Sequence, residues 1–261
     1  MADPSAILLR DDADGIATLT LNRPDQRNAL SRGLMTALED QLDGIAEDAS
    51  VRIVIIAGAG AAFCAGHDLR EVRADPRRET YEALFAQCSR LMLKIVRLAK
   101  PVIARVHGVA TAAGCQLVAS CDLAVAAHSA RFATPGVNIG LFCSTPMVAL
   151  SRAVSRKHAM EMLLTGDLIP ADRACEIGLI NRVVPAAELE SATLELARQI
   201  ASKSPLVLAI GKEAFYAQAE LDLEAAYAYA SGVMTRNMLA RDAAEGIDAF
   251  LAKRAPEWTG E

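Results

Sequence analysis

Six cysteines are present, but no two form a C-x-x-C pair and none stands beside two histidines at zinc spacing. A disulfide framework and a structural metal are therefore not expected. No apolar run approaches membrane-spanning length, and the opening MADPSAILLRDDADG lacks the charged-then-apolar order of a secretory signal. Thiols without such a signal make a cytoplasmic protein the expectation. Excess positive charge is missing too: the net charge is −5, with Lys and Arg scattered among the acids. That weighs against nucleic acid as a partner and leaves room for an anionic small ligand, which needs only a few local cations. Aromatic residues make up only 4%, so the 52% hydrophobic share falls to Ala, Leu, Val and Ile. This is a globular composition rich in helix formers, and 261 residues need no covalent staple.

Familiar nucleotide and nucleophile motifs are also missing. Gly58-Ala59-Gly60 follows an apolar run, yet the third glycine position of a dinucleotide loop, 63, is Phe. There is no G-x-x-x-x-G-K-[ST] and no G-x-S-x-G. Of four histidines, His107, His128 and His158 stand in turns or polar stretches and read as structural or solvated. His67 differs, because it is a bulky polar residue inside a loop of small ones and needs a reason.

What is there is an alternation. Ile7–Leu9 and Ile16–Leu21 flank Asp12-Ala13-Asp14-Gly15 as a hairpin that Asn22-Arg23-Pro24 terminates. Ser31 caps a helix to about Glu47, with Leu34, Leu38, Leu42 and Ile45 on one face. Val51–Ile56 is a continuous apolar run, as expected of a strand buried on both faces. A helix from about Arg78 to Leu98, a strand from Pro101 to Val106, a helix to about Ser120 and a strand at Leu123–Ala126 follow. From Pro146 onward the pattern is helical, with breaks at 165–167, Gly178 and 204–205. Strand and helix in alternation imply parallel strands with crossover helices. The helical end carries apolar stripes (Ala225, Tyr229, Val233; Ile247, Phe250, Leu251) that suit a subunit interface or packing on its own domain.

Two small-residue loops follow buried strands: Ala61–Leu69 and Val109–Leu117. Together they can aim two backbone N–H groups at one point, the makings of an oxyanion hole. Phe63-Cys64-Ala65-Gly66-His67-Asp68-Leu69, with Pro101 to Leu117, resembles the paired signature of the enoyl-CoA hydratase/isomerase (crotonase) superfamily. The resemblance covers almost the whole chain. It takes in Leu21-Asn22-Arg23-Pro24, Asn28-Ala29-Leu30, Phe132-Ala133-Thr134-Pro135, Leu164-Thr165-Gly166, Gly178-Leu179-Ile180 and Ala249 to Arg254.

The resemblance implies an α/β protein of the crotonase fold: a repeated ββα spiral core with the CoA and acyl site (1–200) and a C-terminal helical oligomerisation region (201–261). It implies an oxyanion hole from the amides of His67 and Ala113, and carbonyls at Ala65, His67 and Leu69 that read the adenine of coenzyme A. Phe250 and Lys253 would come from a neighbouring subunit, in trimers or paired trimers. Asn138, Cys143 and Ser144 would line the acyl pocket. Coenzyme A would arrive as part of an acyl thioester, with no permanent cofactor, metal, nucleic acid or membrane partner. The hydratases of the family use two glutamates, and here those positions are Gln116 and Gly136. Gln116 cannot exchange a proton at neutral pH and Gly136 has no side chain, so efficient hydration is not supported. Three readings follow: an enolate-forming acyl-CoA enzyme of this family, nominally a lyase; a malonyl-type decarboxylase using His67, which is similar to the superfamily's methylmalonyl-CoA decarboxylases at that position; and a non-catalytic acyl-CoA-binding oligomer.

Overall fold

The computed structural model describes residues 6–261; residues 1–5, where a targeting signal was sought and the expected first unit begins, lie outside the described residues. Strands β1 (Leu8–Ala13) and β2 (Ile16–Leu21) pair antiparallel, from Leu8 opposite Leu21 to Ala13 opposite Ile16. Asp14 and Gly15 between them stand at φ 53° and 75°, as a two-residue type I′ turn requires. The Ser31 hydroxyl accepts from the Leu34 amide and starts α1 (Arg32–Glu47), which buries Leu34, Leu38, Leu42 and Ile45.

The chain then walks one path three times: a long strand, a tight turn, a short strand, and helix. The first unit is β3 (Ile53–Gly58), β4 (Ala62–Cys64), α2 (Leu69–Ala74) and α3 (Arg78–Arg97). The second is β5 (Val102–Val106), β6 (Val109–Thr111) and α4 (Ala113–Ser120). The third is β7 (Leu123–Ala127), β8 (Arg131–Ala133), a 3-10 turn at Pro135–Ile139, α5 (Pro146–Ala153) and α6 (Arg156–Thr165). Strand β9 (Ile169–Pro170), α7 (Ala171–Glu176), β10 (Arg182–Val184) and α8 (Leu189–Ala201) complete the core, before α9 (Pro205–Gln218), α10 (Leu223–Met238) and α11 (Arg241–Leu251).

The long strands form one sheet in the order β1-β2-β3-β5-β7-β10, and the short ones a second, β4-β6-β8-β9. Among the described residues, only the β1/β2 and β8/β9 pairs are antiparallel. This is the ββα spiral of the crotonase fold. One face of the first sheet (Leu19, Leu21, Val54, Ile56, Ala104, Val106) meets α1, α3 and α4. The other (Ile16, Ile53, Ile55, Ile103, Val125) meets Leu189, Leu196 and Ala197 of α8. Burial on both faces explains why residues 53–57 are apolar without alternation.

Two sequence expectations need correction. The small-residue loops each contain a strand, β4 and β6, and the segment after Pro146 holds β9 and β10. Strands of two or three residues are too short to show a period, and their hydrogen bonds come from neighbouring units of the spiral.

A buried polar node ties α9 to the core. Lys212 Nζ donates to the carbonyls of Ile95 and Lys100 at 3.1 Å each and to Asp122 Oδ2 at 2.7 Å. The Asp122 carboxylate also accepts from Tyr216 Oη at 2.9 Å and from the Val102 amide at 2.7 Å. Further on, the buried Asp242 at the start of α11 accepts from Ser204 Oγ, the Thr259 amide and hydroxyl, and the Gly260 amide, holding the C-terminal segment against α9.

Candidate active site

The two loops meet through bare main chain. Gly66 has φ 96°, and a Cβ there would lie 2.9 Å from Ala112 Cβ and 3.4 Å from the Ala113 amide nitrogen. A Cβ on Gly114 would lie 2.8 Å from the Cys64 carbonyl carbon and 2.9 Å from its Cβ. Thr111 Oγ1 bridges the loops by donating to the Ala65 carbonyl at 3.1 Å. That carbonyl, expected to read adenine, keeps one lone pair free.

Both amides expected to form the hole are unengaged among the described residues. Leu30 forms a parallel bridge with His67: the Leu30 amide donates to the Gly66 carbonyl at 2.7 Å and the Asp68 amide to the Leu30 carbonyl at 3.3 Å. In such a bridge the central residue turns its own N–H away from the strand it pairs with. Ala113 is the first residue of α4, so no carbonyl lies one turn back to accept from it. Ala112 stands at φ 50°, ψ −119°, a conformation usually left to glycine and costing about 1–3 kcal/mol. Its own amide is fixed on the Ala133 carbonyl at 2.9 Å, so the strain turns the next amide outward. The dipole of α4 adds positive potential at that end.

Three polar residues that sequence reasoning quoted without assigning a role hold this frame. Asn28 is fully buried; its Oδ1 accepts from the Arg23 amide at 2.9 Å, and its Nδ2 donates to the carbonyls of Ala59 and Ala62 at 2.8 and 2.7 Å. Arg23 donates to the Ala29 carbonyl at 2.6 Å and to Asp68 at 2.8 Å. Asp68 in turn caps α2 through the Arg70 and Glu71 amides. Arg23 holds the Asp68 carboxyl below its ordinary range, so Asp68 braces the loop rather than offering a base. The signal for all three was an Asn, an Arg and an Asp placed in otherwise small or apolar motifs.

The side chains around the hole are neutral. Gln116 is buried in α4, and its Oε1 accepts from the Cys88 thiol at 3.8 Å. Burial pushes Cys64, Cys88 and Cys115 up to about 12 and raises Cys143 as well. None of these four is therefore a thiolate at neutral pH. Gly136 is buried in the 3-10 turn, and a Cβ there would meet the Leu141 carbonyl oxygen at 2.7 Å and Cys143 Sγ at 2.9 Å. The position of the second family glutamate is thus occupied from the side by the 141–143 loop.

His67 does not present its nitrogens. Both ring nitrogens are buried without a hydrogen-bond partner, and the ring packs edge-on to Phe85 with centroids 5.9 Å apart. Burial lowers its pKa, outweighing the nearby Leu30 backbone and Glu71, so the imidazole is neutral at pH 7. Of the other expected residues, Cys143 lies against Gly136. Asn138 is exposed and reaches only the Gly166 carbonyl at 3.5 Å. Ser144 is exposed, donating to the Phe142 carbonyl. Leu69 opens α2 at the surface, while Phe250 is 82% exposed on α11 and Lys253 follows it at φ 54°. Neither is brought to the loops within one chain. His107 bonds the Gly60 carbonyl, His128 faces Asp172 and His158 faces Ser155, all apart from the hole. A cavity of about 570 Å³ between the end of α3 and α9 and α10 contains no residue of either loop.

A family model for enoyl-CoA hydratase/isomerase matches residues 11–261. The human mitochondrial enoyl-CoA hydratase domain-containing protein 3 is 48% identical over 248 residues, covering 95% of this chain and 82% of that protein. A crystal structure of an enoyl-CoA hydratase from Mycobacterium smegmatis superposes with a TM-score of 0.95 at 56% identity, covering 97% of this chain and 99% of that one. The crystal structure of the human domain-containing protein 3 gives a TM-score of 0.94 at 47% identity, covering 97% and 100%. The human, mouse and rat relatives are named as mitochondrial, which overturns the expectation of a cytoplasmic protein. That expectation rested on the lack of a secretory signal, and such a lack is silent on mitochondrial import.

Proposed function

Because the chain belongs to the enoyl-CoA hydratase/isomerase family, we propose that it is an acyl-CoA enzyme that stabilises a thioester enolate. The amides of His67 and Ala113 hold the thioester oxygen. The observation that carries this reading is the pair of unengaged amides on two abutting loops, one of them at a helix N-terminus behind a strained residue. Donors fixed before the reaction are worth most where negative charge develops. The carbonyls of Ala65, His67 and Leu69 take the adenine end of coenzyme A, which enters with the substrate. Names of the curated relatives favour the mitochondrion as its compartment.

Hydration by a pair of carboxylates is not part of the proposal. Gln116 and Gly136 supply neither the base for water nor the acid for the α-carbon, and one lost acid–base group costs about 10²–10⁴ in rate. Loss of the conjugated thioester absorbance of crotonyl-CoA is expected to run at least that far below ordinary enzyme turnover. Turnover at ordinary rates would overturn the assignment. Restoring carboxylates is not a clean complement, because any side chain at Gly136 must first displace Leu141 and Cys143. Decarboxylation assisted by His67 is disfavoured, since both of its ring nitrogens are sealed from solvent.

We also propose a homotrimer or paired trimers. Phe215, Leu223, Tyr227, Leu239 and Phe250 are between 64% and 83% exposed on α9 to α11, a larger apolar display than a monomer ordinarily leaves in water. A neighbour would cover them and bring Phe250 and Lys253 to the nucleotide end. Sedimentation equilibrium is expected to return three or six chains; a monomer at micromolar concentration would exclude this arrangement.

A further inference from the structure

Gln116 is 4% exposed, yet half of its amide is idle. Its Oε1 accepts from the Cys88 thiol at 3.8 Å, while no described residue accepts from its Nε2. Cys88 decides which way round the amide sits. Burial keeps that thiol protonated throughout the neutral range, and its S–H is given to Gln116 Oε1, the accepting end of the amide. The NH₂ group is therefore the outward half. Gln116 lies three residues beyond Ala113 on α4, on the same helix face, and helical side chains lean toward the N-terminus. Gln116 thus stands one turn along α4 from the Ala113 amide, and unlike the His67 nitrogens its Nε2 is not sealed.

The residue as a whole is buried but Nε2 itself is not, so this donor is free to take an acceptor from a bound ligand. The partner must be an acceptor close to the oxygen held by the two amides. Its charge is set by the surroundings: His67 is neutral, the thiols are protonated, and Arg23 is taken up by Asp68 and the Ala29 carbonyl. A carboxylate would lose its water there with no cation to replace it.

We propose that Gln116 selects acyl thioesters bearing an uncharged acceptor oxygen on the third acyl carbon, that is, 3-oxoacyl thioesters. The thioester oxygen sits on the His67 and Ala113 amides and the 3-oxo oxygen on Gln116 Nε2, with Cys88 as the positioning residue behind it. This rests on the acyl-CoA reading of the site. A 3-oxoacyl thioester also exists partly as its enol without any base, which suits a hole that lacks carboxylates.

Calorimetry with butanoyl-CoA, 3-oxobutanoyl-CoA and malonyl-CoA tests it. The 3-oxo ester is expected to bind about fivefold more tightly than butanoyl-CoA, the net worth of one neutral hydrogen bond. That ratio should fall to about one in Gln116→Met, fall in Cys88→Ala and survive in Cys88→Ser, which keeps a donor. A ratio near one in the unmodified protein, or one that persists in Gln116→Met, overturns the proposal. Should Gln116→Met not fold, equal ratios in the two Cys88 variants overturn it instead. Malonyl-CoA binding more tightly than the 3-oxo ester overturns the uncharged acceptor. If none of the three esters binds, the acyl-CoA reading itself falls, and this inference with it.

Discussion

Gly114→Ala is expected to cost about 3 kcal/mol or more of stability and to remove acyl-CoA binding from whatever protein still folds. The added methyl would overlap the Cys64 carbonyl oxygen and lie 2.8 Å from its carbon. Those atoms belong to β4, which is paired to β6, so neither side can swing away as a flexible side chain would. The only relief is to part the two loops, and parting them separates the His67 and Ala113 amides. The same change at Gly44, where nothing lies within 4 Å of the new methyl on α1, is expected to stabilise by about 0.5–1 kcal/mol through helix propensity. Urea midpoints for both variants, with calorimetry against an acyl-CoA, check the contrast. A Gly114→Ala protein with an unchanged midpoint would show that the loops are not in fixed contact.

Asp122→Ala is the second large effect, expected at about 3–5 kcal/mol because it strands a buried charge. The Lys212 and Asp122 side chains are only 7% and 16% exposed. Burial pulls the Lys212 pKa down, while Asp122 opposes that pull. Without the carboxylate, the ammonium keeps two backbone carbonyls but no countercharge, and Tyr216 and the Val102 amide lose their acceptor. Asp122→Ala with Lys212→Met should cost clearly less than the two single changes summed, since the stranded charge is gone. Because the node joins α9 to the core, protease cleavage around residues 203–222 should rise in the single variant. Additive losses, or unaltered cleavage, would show that the node does not tether the helices.

Much of the spiral was readable in the sequence because its long elements obey one-dimensional rules. Ser31 and the Leu34, Leu38, Leu42, Ile45 stripe mark α1, and the unbroken apolar run marks β3. The second sheet was not readable. Ala62-Phe63-Cys64 and Val109-Ala110-Thr111 carry too few residues for a period, and their pairing is decided by the turn of the spiral. At the site, the missing carboxylates at 116 and 136 could be seen in the letters. The reason Gly136 resists repair could not, since Leu141 and Cys143 approach it through space. His67 stood out by type, but the inward set of its nitrogens depends on Phe85 and the Leu30 bridge. Asn138 and Ser144 shared a segment with Cys143, and only Cys143 turned inward.

The contact between the loops has a consequence for how such a site changes over time or by design. At Gly66 and Gly114 it is made by atoms every residue shares, so it has no graded setting: a substitution there either leaves the hinge of the clamp intact or springs it. Tuning must come from what hangs on the clamp, at positions 67, 116 and 143. A library confined to those three, with Gly66, Gly114 and Gly136 fixed, would therefore sample new chemistry without repeatedly rediscovering collapse.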